Sequence, residues 1–348
     1  MRGLIGHIVT LVVASGLALN AWTSEDQPLG DEGERVEVWG GKPDQVEYLA
    51  FEDDKTKVKL EVKNDEQGTW FVATSDKEVT APKRGAHGAH GAHGAHGDDE
   101  AKTSEAPAKG KREKKRFVAV TAANKLLESV APLMALRAVG KIDKKRDEEF
   151  GFDKPEGTLK VKVAGQEHSL VIGGTTPGGA DRYARTGSGE VYALSGDVVQ
   201  DLSYADSRLL ERDLHGFAQD QVGRVKLESS GKSRELLRLE GKVEGWADIA
   251  AADKQDETAG NWMTKLGRLR VLEYVEKLEK PPGPESIVAR VEYYDEKRRP
   301  LGFLELVKVK GKGDEVDYYA RSEHSRWYVK LLKSAAEPLE QDLGSVLK

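Results

Sequence analysis

Regularly spaced histidines are the first residues in this sequence that could perform chemistry. Residues 85–97 read GAHGAHGAHGAHG, so that His87, His90, His93 and His96 recur every third position. Neutral imidazoles bind zinc, nickel and copper. Ordering a Gly/Ala tract around one ion costs about 1 kcal/mol or more per residue in conformational entropy. We therefore expect no cofactor, and any binding of zinc, nickel or copper by these four histidines should be weak and unselective; the alternative is a tract without a role.

The other histidines do not form a recognisable catalytic motif. Outside the tract and the first residues of the chain, His168, His215 and His324 are widely separated, and there is no cysteine. No Gly-x-Ser-x-Gly, His-Glu-x-x-His or EF-hand loop is present in the sequence. We expect a non-enzymatic protein. An enzyme acting on envelope material is the alternative, and a pocket that gathers His168 or His324 with carboxylates would favour it.

Two further segments resemble ligand-binding motifs. The glycine-rich residues 173–179 lack the Gly-Lys-Ser/Thr ending of a phosphate loop, so we interpret them as a turn between antiparallel strands. The basic residues 109–116 (KGKREKKR) are interpreted as a solvated loop face, with contact to anionic lipid or an acidic partner as the alternative. A net charge of −6 and a pI near 5.9 exclude a general affinity for nucleic acid.

The amino terminus predicts a membrane element. After Met1-Arg2, an uncharged and mainly apolar run extends from Leu4 to Ala21, and its length lies between a signal-peptide core and a membrane span. We expect an uncleaved, single-pass anchor in a bacterial inner membrane, with the bulk of the chain in the periplasm. A cleaved signal peptide is the alternative.

An internal repeat organises the rest of the chain. Asp44-Gln45-Val46 recurs 176 residues later as Asp220-Gln221-Val222, and Trp70 recurs as Trp246 at the same offset. Further on, Tyr183-Ala184-Arg185 recurs as Tyr319-Ala320-Arg321 at an offset of 136. The difference of about 40 residues predicts an insertion over residues 75–116. Its polar composition predicts disorder, and the fold should not require it.

The alternation of apolar residues predicts an α+β fold of two tandem, similar modules, each an antiparallel sheet with packed helices, after an N-terminal hydrophobic helix. A helix is predicted over residues 122–139, kinked at Pro132, and another from residue 258 to about 269. The predicted segments are a signal anchor or signal peptide (1–22), a linker (23–43), a first module (44–205), a connector (206–219) and a second module (220–348).

The middle of the chain resembles a bacterial family, the domain of unknown function 4340. The resemblance is carried by residues 151–155 (GFDKP), 170–173 (LVIG), 183–185 (YAR), 191–194 (VYAL) and 209–212 (LLER). It implies an exported, membrane-anchored accessory protein associated with ABC transporters of the gliding-motility type. It implies no catalytic residues.

These observations predict a membrane-anchored, extracytoplasmic accessory or scaffold protein whose partners are the membrane and an envelope or ABC-transporter complex. The alternative is an extracytoplasmic binding module for a transition metal or a glycan.

Overall fold

Strands dominate the computed structural model, which describes residues 35–79, 111–239, 245–275, 280–281, 285–311, 313 and 315–348. Of these residues 48% are in strands and 22% in helices. The predicted α+β class is therefore wrong, and the protein is mainly antiparallel β. The expected N-terminal hydrophobic helix lies outside the described residues. Within them, no helix has the length and apolar character needed to cross a membrane.

The first large sheet has nine strands in the order β5-β4-β3-β2-β8-β9-β10-β11-β7. A separate two-stranded sheet pairs β1 with β6. The strands are β1 (Val36–Trp39), β2 (Val46–Glu52), β3 (Thr56–Asp65), β4 (Gly68–Val79), β5 (Lys111–Ala119), β6 (Leu133–Ala135), β7 (Arg137–Lys141), β8 (Gly157–Val163), β9 (Gln166–Thr175), β10 (Arg182–Thr186) and β11 (Glu190–Leu194).

The second large sheet has eight strands in the order β14-β13-β12-β16-β17-β18-β19-β15. With β5 left aside, this is the same order as in the first sheet, and Trp70 and Trp246 lie in the corresponding strands β4 and β14. The strands are β12 (Arg224–Ser229), β13 (Lys232–Arg238), β14 (Trp246–Asp248), β15 (Val271–Tyr274), β16 (Glu285–Tyr294), β17 (Pro300–Lys310), β18 (Val316–Ser322) and β19 (Val329–Leu331).

Helices pack on one face of each sheet. In β8, Leu159, Val161 and Val163 are buried while the lysines between them point outward, as expected of a strand with one face against a core. The helices are α1 (Thr121–Val130), α2 (Gly196–Ser203), α3 (Ala205–Arg208), α4 (Glu257–Gly267) and α5 (Lys333–Val346). Single 3-10 turns lie at Pro43–Gln45, Lys144–Arg146, Gln219–Gln221 and Ile249–Ala251.

Arg234 fastens the second sheet to its helices. From β13, its guanidinium donates to Asp248 at 2.8 Å, to Asp256 at 2.7 Å and to the Val346 carbonyl at 2.6 Å. Asp256 also caps the first turn of α4 through the Ala259 amide at 3.0 Å. One half-buried side chain therefore joins two strands and the ends of two helices.

Two segments differ from the sequence prediction. The helix predicted over 122–139 ends at Val130, and its second half forms β6 and β7, because residues 133–135 pair with β1 and residues 137–141 pair with β11. The predicted disordered insertion is ordered at both ends: residues 75–79 of β4 pair with residues 111–115 of β5, and Arg116 pairs with Thr74. Residues 80–110 lie outside the described part of the chain.

Candidate functional site at the junction of the two sheets

The connector between the two halves joins their edges. The Glu211 amide donates to the Val118 carbonyl of β5 at 3.0 Å, and the Val271 amide of β15 donates to the Arg212 carbonyl at 2.9 Å. Residues 211–212 thus lie between the edge strand of the first sheet and the edge strand of the second. Leu210 packs against both hydrophobic cores.

Glu211 is the most heavily bonded side chain at this junction. Its carboxylate accepts from the Thr121 amide at 3.0 Å and the Asp213 amide at 3.2 Å, and it lies 3.4 Å from Nε2 of His324. Burial opposes ionisation of this carboxyl, but the hydrogen bonds from His324 and the two amides outweigh burial and lower its pKa to about 2. Glu211 is therefore a buried carboxylate that stays ionised at neutral pH.

A second histidine–carboxylate pair lies beside the first. His215 Nδ1 is 3.0 Å from a carboxylate oxygen of Glu323, whose other oxygen accepts from the Phe303 amide at 2.9 Å. The His215 ring lies 4.6 Å from the rings of both Phe217 and Tyr293. Burial and the nearby Glu323 charge raise the pKa of Tyr293, which keeps that hydroxyl protonated.

The two pairs cross between connector and sheet. Glu211 and His215 are four residues apart in the connector, whereas Glu323 and His324 are neighbours between β18 and β19. Glu211 of the connector pairs with His324, and His215 of the connector pairs with Glu323. Gly216 permits this approach, because a Cβ there would lie 3.0 Å from Nδ1 of His324. Chemically, the arrangement can clamp the two halves together.

Aromatic and cationic side chains extend the same junction. Trp327, just before β19, meets Trp70 of β4 edge-on at 5.5 Å, and the guanidinium of Arg116 lies 5.2 Å above the Trp327 ring. Arg326 forms an ion pair with Asp65 at 2.8 Å. These contacts bring the β18–β19 end of the second sheet onto β3, β4 and β5 of the first.

The structure brings together two of the three scattered histidines. His215 and His324 meet carboxylates at the junction, whereas His168 lies in β9 and stacks on Trp39 at 4.9 Å. The tract histidines His87, His90, His93 and His96 lie outside the described residues. Among the described residues no group of three or more His, Asp or Glu side chains could hold a metal ion.

Sequence reasoning missed Glu211 and Glu323 as partners of these histidines. The only signal was indirect, since Glu211 belongs to the LLER segment that carries the family resemblance and lies in the connector between repeats.

A separate open cavity of about 830 Å³ lies over β2, β3, β4 and β8 of the first sheet. The side chains of Tyr48, Lys57, Lys59, Asp76 and Lys160 are among those that line it. Lys57 pairs with Glu52 at 2.5 Å, and the Lys59 ammonium lies 5.4 Å from the Tyr48 ring centre. We call this region the first-sheet trough. Its mixture of cations, carboxylates and an aromatic ring suits a polar macromolecular surface.

The other residues that carry the family resemblance have a structural role. A Cβ on Gly151 would lie 2.4 Å from the Gly174 amide nitrogen, and that amide donates to the Phe150 carbonyl at 2.8 Å. Phe150, Phe152, Tyr183 and Val191 form a small separate core. The GFDKP loop is thus held against β9 by close backbone contact and aromatic packing.

Comparison with known proteins gives one match. No curated protein and no solved structure matches the chain. Residues 118–286 match the family model of the domain of unknown function DUF4340, which confirms the resemblance seen in the sequence. The matched region runs from β5 to β16 and includes the connector with Glu211. The match covers a little under half of the length of the chain.

Proposed function

We propose that this protein is a non-enzymatic, membrane-anchored accessory or scaffold protein outside the cytoplasm, serving an ABC-transporter-type envelope complex. The observation that carries the proposal is the junction, where two sheets are joined edge to edge by a bonded connector, two histidine–carboxylate pairs and an edge-on contact between two tryptophan rings. Such a joint fixes two binding surfaces relative to each other, which a scaffold requires.

The first-sheet trough supports this role. It is open and lies on regular strands, and its charged rim contains both signs. Protein–protein contacts commonly combine an apolar centre with a polar rim. We infer that the trough faces a partner protein, with Lys57 and Lys160 contributing to electrostatic attraction.

Membrane attachment rests on the sequence alone. The apolar run from Leu4 to Ala21 supplies the anchor, and the family resemblance supplies the transporter context. Fractionation tests the anchor: wild-type protein should stay with membranes after a high-salt wash, whereas a variant lacking residues 1–22 should not. Release of the wild type by salt would contradict anchoring.

Affinity capture from detergent extracts tests the accessory role. Wild-type protein should recover an ABC permease or ATPase, identified by mass spectrometry. Lys57→Glu combined with Lys160→Glu should reduce recovery, because it reverses charges in the trough. The matched control is Lys232→Glu combined with Lys297→Glu, which changes two exposed lysines outside the trough. Repeated capture of the protein alone would contradict the proposal.

A second candidate function is metal binding by His87, His90, His93 and His96, which the sequence favours through their spacing. Calorimetry with zinc, nickel and copper compares the full chain with a variant lacking residues 85–97. An identical heat of binding for both would eliminate this function.

A further inference from the structure

The outer edge of β5 is relevant to how this protein binds a partner. β5 pairs with β4 from Ala119 opposite Phe71 to Lys111 opposite Val79 without a register shift. In the order of the first sheet, β5 is an end strand. Successive residues of a strand direct their backbone groups to opposite sides, and every second residue directs them to the same side. One assigned hydrogen bond therefore determines the orientation of all the others.

The hydrogen bond of Val118 fixes this orientation. Its carbonyl accepts from the Glu211 amide in the connector, so its backbone groups point away from β4. Arg116, Lys114 and Arg112 follow at intervals of two and therefore also direct their N–H and C=O groups outward. Outside the β4–β5 ladder, no described residue forms a backbone hydrogen bond with these three.

The same edge already accepts a backbone hydrogen bond from the connector. The Glu211 amide bonds the Val118 carbonyl, and the next carbonyl, that of Arg212, accepts from Val271 of β15, so extended backbone contacts this edge a short distance from the unpaired stretch. Arg116 marks the boundary, because its guanidinium stacks on Trp327 of the second half. The stretch from Arg112 to Lys114 extends beyond that contact.

The charge of β5 indicates the composition of a strand that would pair with its outer edge. Residues 111–116 contain five cations and a single acid. Asp76 pairs with Arg112 at 2.7 Å and with Lys114 at 3.7 Å, and Lys115 lies 3.5 Å from both Glu113 and Asp206, so part of this charge is balanced. The Lys114 side chain remains 77% exposed. The edge therefore keeps a cationic character that favours an acidic neighbour.

We propose that an extended acidic segment of a partner polypeptide adds to β5 as a further strand, along Arg112 to Arg116. Main-chain hydrogen bonds to the outward groups supply affinity, and carboxylates at alternate positions meet Arg112 and Lys114. This inference rests on the proposed accessory role and names the chemistry of its partner.

The test uses the full chain and a fluorescent peptide of about eight residues that alternates Glu and Val. Fluorescence anisotropy should show binding to the wild type. Lys114→Pro should weaken it about tenfold or more, because proline removes an outward N–H and blocks approach of the strand. Lys114→Ala is the matched control, which loses the charge and keeps the N–H, and it should weaken binding less than proline.

Two further measurements keep the result interpretable. The Lys114 amide does not bond β4, so Lys114→Pro should melt near the wild type, whereas Lys115→Pro should melt lower. If Lys114→Pro fails to fold, a peptide N-methylated at alternate residues replaces it and should not bind the wild type. Equal binding of the methylated peptide, equal binding by Lys114→Pro, or no binding of the acidic peptide to the wild type would each overturn the proposal.

Affinity capture separates this inference from the accessory role. Recovery of a permease or ATPase by the wild type and not by Lys114→Pro supports the edge as the contact. Equal recovery by both overturns the edge as the contact and leaves the accessory role standing. Peptide binding without any recovery of transporter subunits contradicts the accessory role instead.

Discussion

Replacing Glu211 by glutamine removes the charge at the centre of the junction and leaves the side-chain shape almost unchanged. The pKa of Glu211 falls from 4.5 to about 2 on folding, and each pKa unit corresponds to about 1.4 kcal/mol. Its ionisation therefore stabilises the folded chain by roughly 3 kcal/mol at neutral pH. Water at the rim of the junction reduces this, so we expect Glu211→Gln to lose about 2 kcal/mol.

The pH dependence of this loss is the sharper test. Because the pKa is lower in the folded chain than in the unfolded chain, the stabilisation is complete above about pH 5 and disappears as the pH falls towards 2. Glu211→Gln carries no such titration. The difference in unfolding free energy between the two proteins should therefore shrink steadily between pH 5 and pH 2.

Urea unfolding followed by tryptophan fluorescence measures this difference, since Trp70 and Trp327 lie at the junction. Glu66→Gln in the exposed β3–β4 turn is the matched control and should change the unfolding free energy by less than about 0.5 kcal/mol. A Glu211→Gln protein as stable as the wild type at pH 7, or a difference that does not vary with pH, would refute the reasoning.

Three other substitutions test separate parts of the structure by thermal melting. Trp327→Ala should cost about 2 kcal/mol, because a half-buried ring loses its contact with Trp70; no loss would show that the aromatic contact does not hold the halves together. Gly151→Ala should lower the free energy of unfolding by about 2 kcal/mol or more, because Gly151 has a positive φ and backbone atoms lie close behind it. Gly165→Ala is the control and should lower it by about 1 kcal/mol, because Gly165 also has a positive φ but the space around it is open. Arg234→Lys should cost about 1–2 kcal/mol, since a lysine cannot reach two carboxylates and a carbonyl together; an unchanged melting temperature would contradict that linking role.

The hairpin strands were predictable because their apolar alternation is strong. Apolar residues alternate with polar ones in residues 157–163, which form β8, and in residues 190–193 of β11 (190–194). The start of α2 was also readable, since Ser195 caps it by accepting from the Asp197 amide. Local sequence suffices where one face of a strand or one turn of a helix determines the structure.

The prediction of the fold class was wrong where pairing between distant segments decides the conformation. Residues 133–141 contain good helix formers, yet they form strands because β1 and β11 offer edges to pair with. The basic residues 111–116 lack the apolar alternation of a strand, and they form one because β4 extends beside them. No local pattern encodes a partner that lies far along the chain.

The junction could not be predicted for the same reason. His215 and Glu323 are separated by 108 residues, and their pairing depends on how two sheets meet. The sequence identified His215 and His324 as isolated histidines. Their carboxylate partners are two among 60 acidic residues, and composition alone could not distinguish them.

The strand β5 has a consequence for how many copies of the fold can be joined in series. The union is heterologous, since the β15 edge of one sheet meets the β5 edge of the other. Between β14 and α4 the second half has the 3-10 turn Ile249–Ala251 and a single bridge from Gln255 to Ala247, where the first half has the nine-residue β5. Among the described residues, the far edge of the second sheet therefore has no full-length counterpart of β5. A third unit could dock in this manner only by bringing both that strand and a connector.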